Sequence, residues 1–246
     1  SAEEQITVNN LPEYLRPFTY LVVREEQLGD YQPVADELGC KVFTLPAGSS
    51  GLAQARKHIA QRMRGQRYWM IDDDIRFRSI EWTPNLEKGA EYTETTRATS
   101  CQFKTAIAEI NRFLDEGFMF GGSAIAWAPP KERGYDVCGR TLGNVFYSEH
   151  LPVDDIDWGD QYEVVPEDFL VNLQLLKMGH ASIVLQKFRA DPISPTNAAG
   201  GVSSYRTIEN HNNSQYLIQE LFPDVAKVYE KVQKSGPWKG IPKKAL

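Results

Sequence analysis

Tyr68-Trp69-Met70-Ile71-Asp72-Asp73-Asp74 decides the fold class of this chain. Four large, mostly apolar residues in succession read as a buried strand, and that strand ends abruptly in three acids. Just upstream, Gly65 closes a helix whose apolar side carries Leu52, Ala55, Ile59 and Met63, entered from the turn-forming stretch Pro46 to Gly51. Further back lie a strand at Cys40 to Leu45, a short helix at Pro33 to Leu38, and an aromatic and β-branched first strand at Phe18 to Arg24. Strand, helix, strand, helix, strand is the rhythm of an α/β sandwich with a largely parallel sheet. Ligands of such sheets gather beyond the carboxyl ends of the strands, which is where the acids fall. Three adjacent carboxylates repel one another, and a divalent cation offsets that repulsion. Taken alone, the triplet also reads as an acidic turn after a buried strand.

Downstream, the polar stretch Glu81 to Thr99 has little periodicity and is expected to be a mobile loop or lid. Phe103, Ile107, Ile110 and Leu114 line one face of an amphipathic helix that Gly117 closes. Phe118 to Trp127 follows as an apolar strand interrupted by Gly121-Gly122, marking a bulge or a close approach of another backbone or a ligand. Asp154 to Asp160 is acidic but lacks the glycine and glutamate of an EF-hand, and reads as a solvated loop. Pro166-Glu167-Asp168-Phe169 opens a further helix, where the two acids serve as partners of the helix N-terminus or as catalysts. Ile183 to Leu185 gives a last short strand, and a final helix is expected from Ser214 to about Val232. The expected division is a core over 1–199 and a C-terminal closing segment with a basic tail over 200–246, all one domain.

The 246 residues carry a net charge of −6 with a pI of about 5.4, which argues against a protein that coats nucleic acid over its whole surface. Two local basic stretches qualify that average. Arg56 to Arg67 contains no acid, and Lys227 to Leu246 holds six lysines against Glu230 alone. Each reads as a phosphate-contacting patch or as a solvated face. Cys40, Cys101 and Cys138 are odd in number and form no CxxC pair, so neither a disulfide framework nor a zinc site is indicated and a reducing cytoplasm fits. No apolar run approaches the roughly 20 residues of a membrane span, and no membrane partner is expected.

Gly51 and Arg56 on one helix, then the strand with its Asp triplet, then Glu167-Asp168, together resemble the nucleotide-sugar half of GT-A glycosyltransferases. The resemblance implies a GT-A-like, Rossmann-type α/β/α sandwich with a mostly parallel central sheet. It also implies a UDP-sugar donor held by Arg24, Gly51, Arg56, Asp72 and Asp73. A helix N-terminus and a guanidinium suit a diphosphate, one carboxylate suits a ribose hydroxyl, and another suits Mn²⁺ or Mg²⁺. If the strand stays extended, Asp72 and Asp74 share a side and Asp73 points away. By resemblance Asp72 lies near the nucleoside and also reaches the metal, Asp74 is the principal metal ligand, Asp73 binds through water or from outside the coordination sphere, and His211 completes the metal site. Glu167-Asp168 resembles the pair beneath the acceptor in inverting members, with Asp168 the base. Gly121 and Gly122 would then border the acceptor pocket, and Trp127 or Trp158 would stack on a sugar or base, although an aromatic in a strand also reads as core.

Together with Gly121-Gly122-Ser123 and Gly200-Gly201-Val202-Ser203-Ser204-Tyr205-Arg206, the motifs over Phe18 to Phe222 are similar to the phage TET-associated glycosyltransferases. That family implies sugar transfer onto 5-hydroxymethylcytosine in DNA, in host cytoplasm. Alternatives are a GT-A enzyme acting on polysaccharide or protein, a nucleotidyltransferase, for which the glycine-rich signature near the first strand is missing, and a non-catalytic DNA-binding module on a decayed transferase fold.

Overall fold

The computed structural model describes residues 5–49, 51–85, 89–139, 143–162, 166–193, 207–232 and 239–246. The Gly200 to Arg206 motif lies outside them. Two bodies of strands, with a further two-stranded pair near the C-terminus, organise the described residues. Strands β1 (Tyr20–Val23) and β2 (Lys41–Thr44) pair in parallel, joined by helix α2 (Leu28–Leu38), as a small βαβ unit. Its own core holds Leu21, Val23, Ala35 and Cys40, with Val8 of the short helix α1 (Ile6–Asn10) against them.

The larger sheet contains β3 (Tyr68–Ile71), β4 (Ile75–Asn85), β5 (Gly89–Glu94), β6 (Phe120–Ile125), β7 (Tyr135–Val137), β8 (Asn144–Tyr147) and β9 (Ser182–Pro192) in the order β3-β8-β6-β9-β4-β5, with β7 paired to β9. The expected α/β class is the one adopted, and the sheet is mixed. Among its described pairs only β6 with β9 is parallel; β3 with β8, β8 with β6, and β9 with β4 are antiparallel. Two antiparallel steps through β8 leave β3 and β6 pointing the same way, so both carboxyl ends open on one edge of the sheet.

Alternation along β3 explains the layers. Trp69 and Ile71 face the core shared with Phe103, Ala106, Ile110 and Phe113 of helix α4 (Ser100–Asp115). Tyr68 and Met70 face the opposite core, which takes in Ala60 of helix α3 (Gly51–Arg62) and Val171 and Leu175 of helix α5 (Glu167–Lys177). Helices on both faces make the expected α/β/α sandwich. Helix α4 begins where the Thr99 hydroxyl accepts a hydrogen bond from the Gln102 amide and the Thr99 amide donates one to Gln102 Oε1, a reciprocal N-cap.

Three expectations are corrected. Glu81 to Thr99 is mostly the β4–β5 hairpin rather than a loop, pinned by Trp82 across from Tyr92 with ring centroids 5.2 Å apart. The strand expected at Ile183 to Leu185 is not three residues but the eleven of Ser182–Pro192, and it is not the last. The final helix, α6 (Ile208–Leu221), starts earlier and stops before Pro223, and the chain then turns into β10 (Tyr229–Val232), antiparallel to β11 (Pro242–Ala245). No helix among the described residues is long and apolar enough to cross a membrane.

Candidate active site

The acids Asp72, Asp73 and Asp74 form the turn between β3 and β4, so the strand has ended before them and alternation does not set their directions. Contacts from remote segments hold the turn instead. The Thr7 hydroxyl donates to the Asp72 carbonyl at 2.5 Å and accepts from the Ile75 amide at 2.9 Å, while the Thr7 amide donates to the Asp73 carbonyl. The Ile193 amide donates to the Asp74 carbonyl at 2.9 Å. The Asp72 amide donates to the Gly143 carbonyl at 2.8 Å. Gly143 has φ +65°, and a Cβ there would stand 2.9 Å from Asp72 Oδ2. Only glycine both adopts that backbone readily and leaves the carboxylate its place.

Arg56, on the second turn of α3, is almost fully buried and joins two acids from different elements. Its Nη2 lies 3.2 Å from Asp72 Oδ1 and its Nε lies 3.1 Å from Glu167 Oε1. Burial alone would lower the guanidinium pKa, but Glu167, Asp72, Tyr147 and Asp168 together raise it. Asp72 is pushed up to about 6, first by burial and then by Asp74, Asp168 and Asp73, against the opposing pull of Arg56. Burial also raises Glu167, with Asp168 and Asp72 adding to the shift. Carboxylates thus crowd one guanidinium, an electrostatic arrangement ready for a further positive charge.

The turn and Arg56 border a cavity of about 1010 Å³ between the small βαβ unit and the main sheet. Tyr20, Val22 and Val42 form one wall and Leu52, Ile59 and Trp69 another, with Asp72, Asp73 and Asp74 also in the lining. An apolar cleft of this size with a few converging charged groups has the character of a site for a nucleotide-sized ligand. Tyr31 brings α2 to the same place: its phenol pKa is raised by burial and then by Asp73 and Asp30.

Other residues singled out from the sequence divide between this site and elsewhere. Gly51 starts α3 with φ +78°. Arg24 does not line the cavity; its guanidinium lies 3.9 Å from Glu26. Asp168 is half-buried at the start of α5, where its Oδ1 accepts from the Phe169 amide at 2.9 Å. Gly121 is committed to packing, since a Cβ would meet the Ile183 carbonyl at 2.2 Å and the Phe146 ring at 2.3 Å, and Gly122 beside it is buried too. Trp158 is core, donating to the Val153 carbonyl, whereas Trp127 is 73% exposed just past the carboxyl end of β6. His211 lies on α6 with Nε2 2.9 Å from the Lys244 carbonyl. A carbonyl only accepts, so Nε2 carries the proton and is closed to a metal in this arrangement. Among the described residues no three His, Cys, Asp or Glu side chains converge as a metal cage.

The basic stretch of α3 and the turn after it is largely occupied by internal ion pairs: Lys57 with Asp160, Arg64 with Asp154, and Arg67 with Glu149 and Asp115. The acidic loop at Asp154 to Asp160 is therefore the electrostatic partner of this stretch. Thr7 and Gly143 are the positioning residues that sequence reasoning missed, because each acts on the triplet from a remote segment.

Residues 1–201 match the sequence model of a family described as TET-Associated Glycosyltransferase. Two curated relatives are each named Beta-glucosyl-HMC-alpha-glucosyl-transferase. The one from Enterobacteria phage T6 is 28% identical over 218 residues, covering 85% of this chain and 74% of the relative. The one from Enterobacteria phage T2 is 29% identical over 220 residues, with the same coverage.

Proposed function

The chain belongs to the TET-associated glycosyltransferase family and is a glycosyltransferase; from that premise we propose that it moves a sugar from a UDP-sugar onto 5-hydroxymethylcytosine in DNA, with Mn²⁺ or Mg²⁺. The observation that carries this reading is Arg56 spanning Asp72 and Glu167 beside a cavity of nucleotide size. It ties the acidic turn to the start of α5, where Asp168 stands, through one ion-pair network.

The donor set fits a hard cation. Mg²⁺ and its analogues are commonly held by one or two carboxylates, with substrate phosphates and water completing the shell, so a three-ligand protein cage is not required. Asp74 and Asp72 would hold the ion, which supplies charge stabilisation for the departing diphosphate. The cavity walls would take the nucleoside, and Trp127 would offer its exposed face to the acceptor base or sugar. Asp168 would accept the proton of the acceptor hydroxyl as that oxygen bonds to the anomeric carbon and the bond from that carbon to the diphosphate breaks, releasing UDP. Glu167, buried and bound to Arg56, orients the guanidinium instead.

The relatives' names favour a second acceptor to test beside the first. Both place a β-glucosyl group on HMC, so a hydroxyl of a sugar already attached to the base is the other candidate nucleophile. The experiment is a panel of UDP-sugars with Mn²⁺ against duplexes bearing cytosine, 5-hydroxymethylcytosine or its β-glucosylated form, followed by mass analysis of the nucleosides. A hexose or N-acetylhexosamine increment on a modified base is expected, and it should vanish in Asp74→Ala. No increment with any donor, or full transfer by Asp74→Ala, overturns the reading. An α-linked product from an α-linked donor would remove Asp168 as the base of an inverting step.

A further inference from the structure

The residues beyond the family match build a separate basic appendage. Helix α6 packs Ile218 and Phe222 against Leu170, with Phe169 and Leu173 at the edge of the same cluster, so it is seated on the first two turns of α5, the helix that carries Asp168. Leu246 closes the cluster from the chain end. Three bonds then fasten the β10–β11 hairpin to its support: His211 Nε2 to the Lys244 carbonyl at 2.9 Å, the Lys244 amide to Asn212 Oδ1 at 2.7 Å, and the Val228 amide to Gln219 Oε1 at 2.6 Å.

What this support displays is charge and aromatic surface. Lys227, Lys231 and Lys239 are exposed, as are the rings of Tyr229 and Tyr216. Cross-strand register sets Lys231 opposite Lys243, with Tyr229 two residues along on the same face. Lys244 is turned to Glu230 at 3.3 Å, the lone acid of the tail. The tail's charge runs against a chain of net charge −6, and the other basic stretch of the sequence is engaged in internal ion pairs. Lysines interleaved with exposed tyrosines on paired strands are complementary to a sugar-phosphate backbone, which offers a charge every ~1.7 Å of duplex axis.

We propose that the β10–β11 hairpin grips the backbone of duplex DNA through Lys227, Lys231, Lys239 and Tyr229, and so delivers the modified base to the start of α5. The proposal rests on the DNA-acceptor reading and deepens it. It gives His211 a definite duty, that of anchoring the hairpin.

The test uses the full chain carrying K227E, K231E and K239E together. Duplex binding is read by fluorescence anisotropy across a salt series. Transfer is compared between a long duplex and the mononucleotide 5-hydroxymethyl-2′-deoxycytidine 5′-phosphate. Loss of up to three phosphate contacts should flatten the plot of log K against log salt by about 2–3. The ratio of duplex to mononucleotide kcat/KM should fall at least about tenfold, and the triple Lys→Arg variant should retain wild-type values. An unchanged salt slope with an unchanged ratio overturns the hairpin's role while leaving the acceptor reading intact. A wild-type protein that adds no sugar to any modified DNA overturns the acceptor reading instead, and the salt slopes still decide whether the hairpin holds duplex.

Discussion

Gly143→Ala separates the strain of a left-handed backbone from the displacement of one carboxylate. Gly143 and Gly65 have nearly the same dihedral, φ +65° and φ +73°, but a Cβ at Gly65 meets nothing within 4 Å whereas one at Gly143 stands 2.9 Å from Asp72 Oδ2. An alanine at either position costs about 1–2 kcal/mol of backbone strain. For a chain of this size each kcal/mol lowers Tm by roughly 2–4 °C, so the two variants should melt alike, a few degrees below wild type. Only Gly143→Ala must also push the Asp72 carboxylate by about half an ångström to restore ordinary van der Waals contact. With a 1 Å misplacement worth about a hundredfold in rate, half of it should cost about tenfold in kcat/KM. The assay is Tm by calorimetry beside UDP-sugar turnover for wild type, Gly65→Ala and Gly143→Ala. If Gly143→Ala stays within twofold of Gly65→Ala in turnover, the placement of Asp72 by Gly143 is not functionally required and the reasoning fails.

Three further perturbations test the frame around that turn. Arg56→Gln leaves Glu167 buried without its cation, a loss of about 3 kcal/mol at the lower end for a broken buried pair because Glu167 can shed its charge by protonation; the deficit, read from urea midpoints, should narrow between pH 7 and pH 5. Glu149 is held down at about 2 by the Arg67 guanidinium that hydrogen-bonds it, so its stabilising contribution is fully present above its ordinary value of 4.5 and is lost as pH falls towards 2; Tm of Arg67→Gln should fall less steeply than wild type over pH 5 to 3, and parallel curves would contradict the pairing. Gly121→Ala forces a methyl into the Ile183 carbonyl and the Phe146 ring, and should destabilise by at least 1–3 kcal/mol, with Tm as the readout; a wild-type melting point would show that the sheet yields there.

The elements legible in the sequence are those with one buried side and a clear stop. Helix α4 declared itself by Phe103, Ile107, Ile110 and Leu114, and β3 by an apolar run bounded by Arg67 and Asp72. The β4–β5 hairpin was hidden because its polar residues Glu81, Thr83 and Glu91 are exposed, which leaves little period-two contrast to read; the cross-strand pair Trp82 and Tyr92 was its one signal. Within the site, the Asp triplet, Arg56 and Glu167 could be named in advance because their chemistry is local to a strand end or a helix start. Thr7 and Gly143 could not, since each works through a contact with a residue about seventy positions away, and nothing in a single sequence pairs them. Gly121 was read for its freedom of approach, and what approaches is the protein's own Phe146.

The cavity walls come from bodies with separate cores. Tyr20, Val22 and Val42 belong to strands whose buried side chains form one cluster with α2, whereas Arg56 and Gly143, which fix the Asp72 side chain, and Glu167 belong to the helices and loops of the main sheet, with Thr7 of α1 holding the turn's backbone from the first body. Substitutions that reshape the first wall need not disturb packing beneath the carboxylates, because distant sites without shared partners act almost independently. If the cavity takes the donor's nucleoside as proposed, nucleotide preference is therefore free to diversify along a lineage while the chemistry stays fixed, and an engineer seeking a new donor nucleotide would mutate β1 and β2 first.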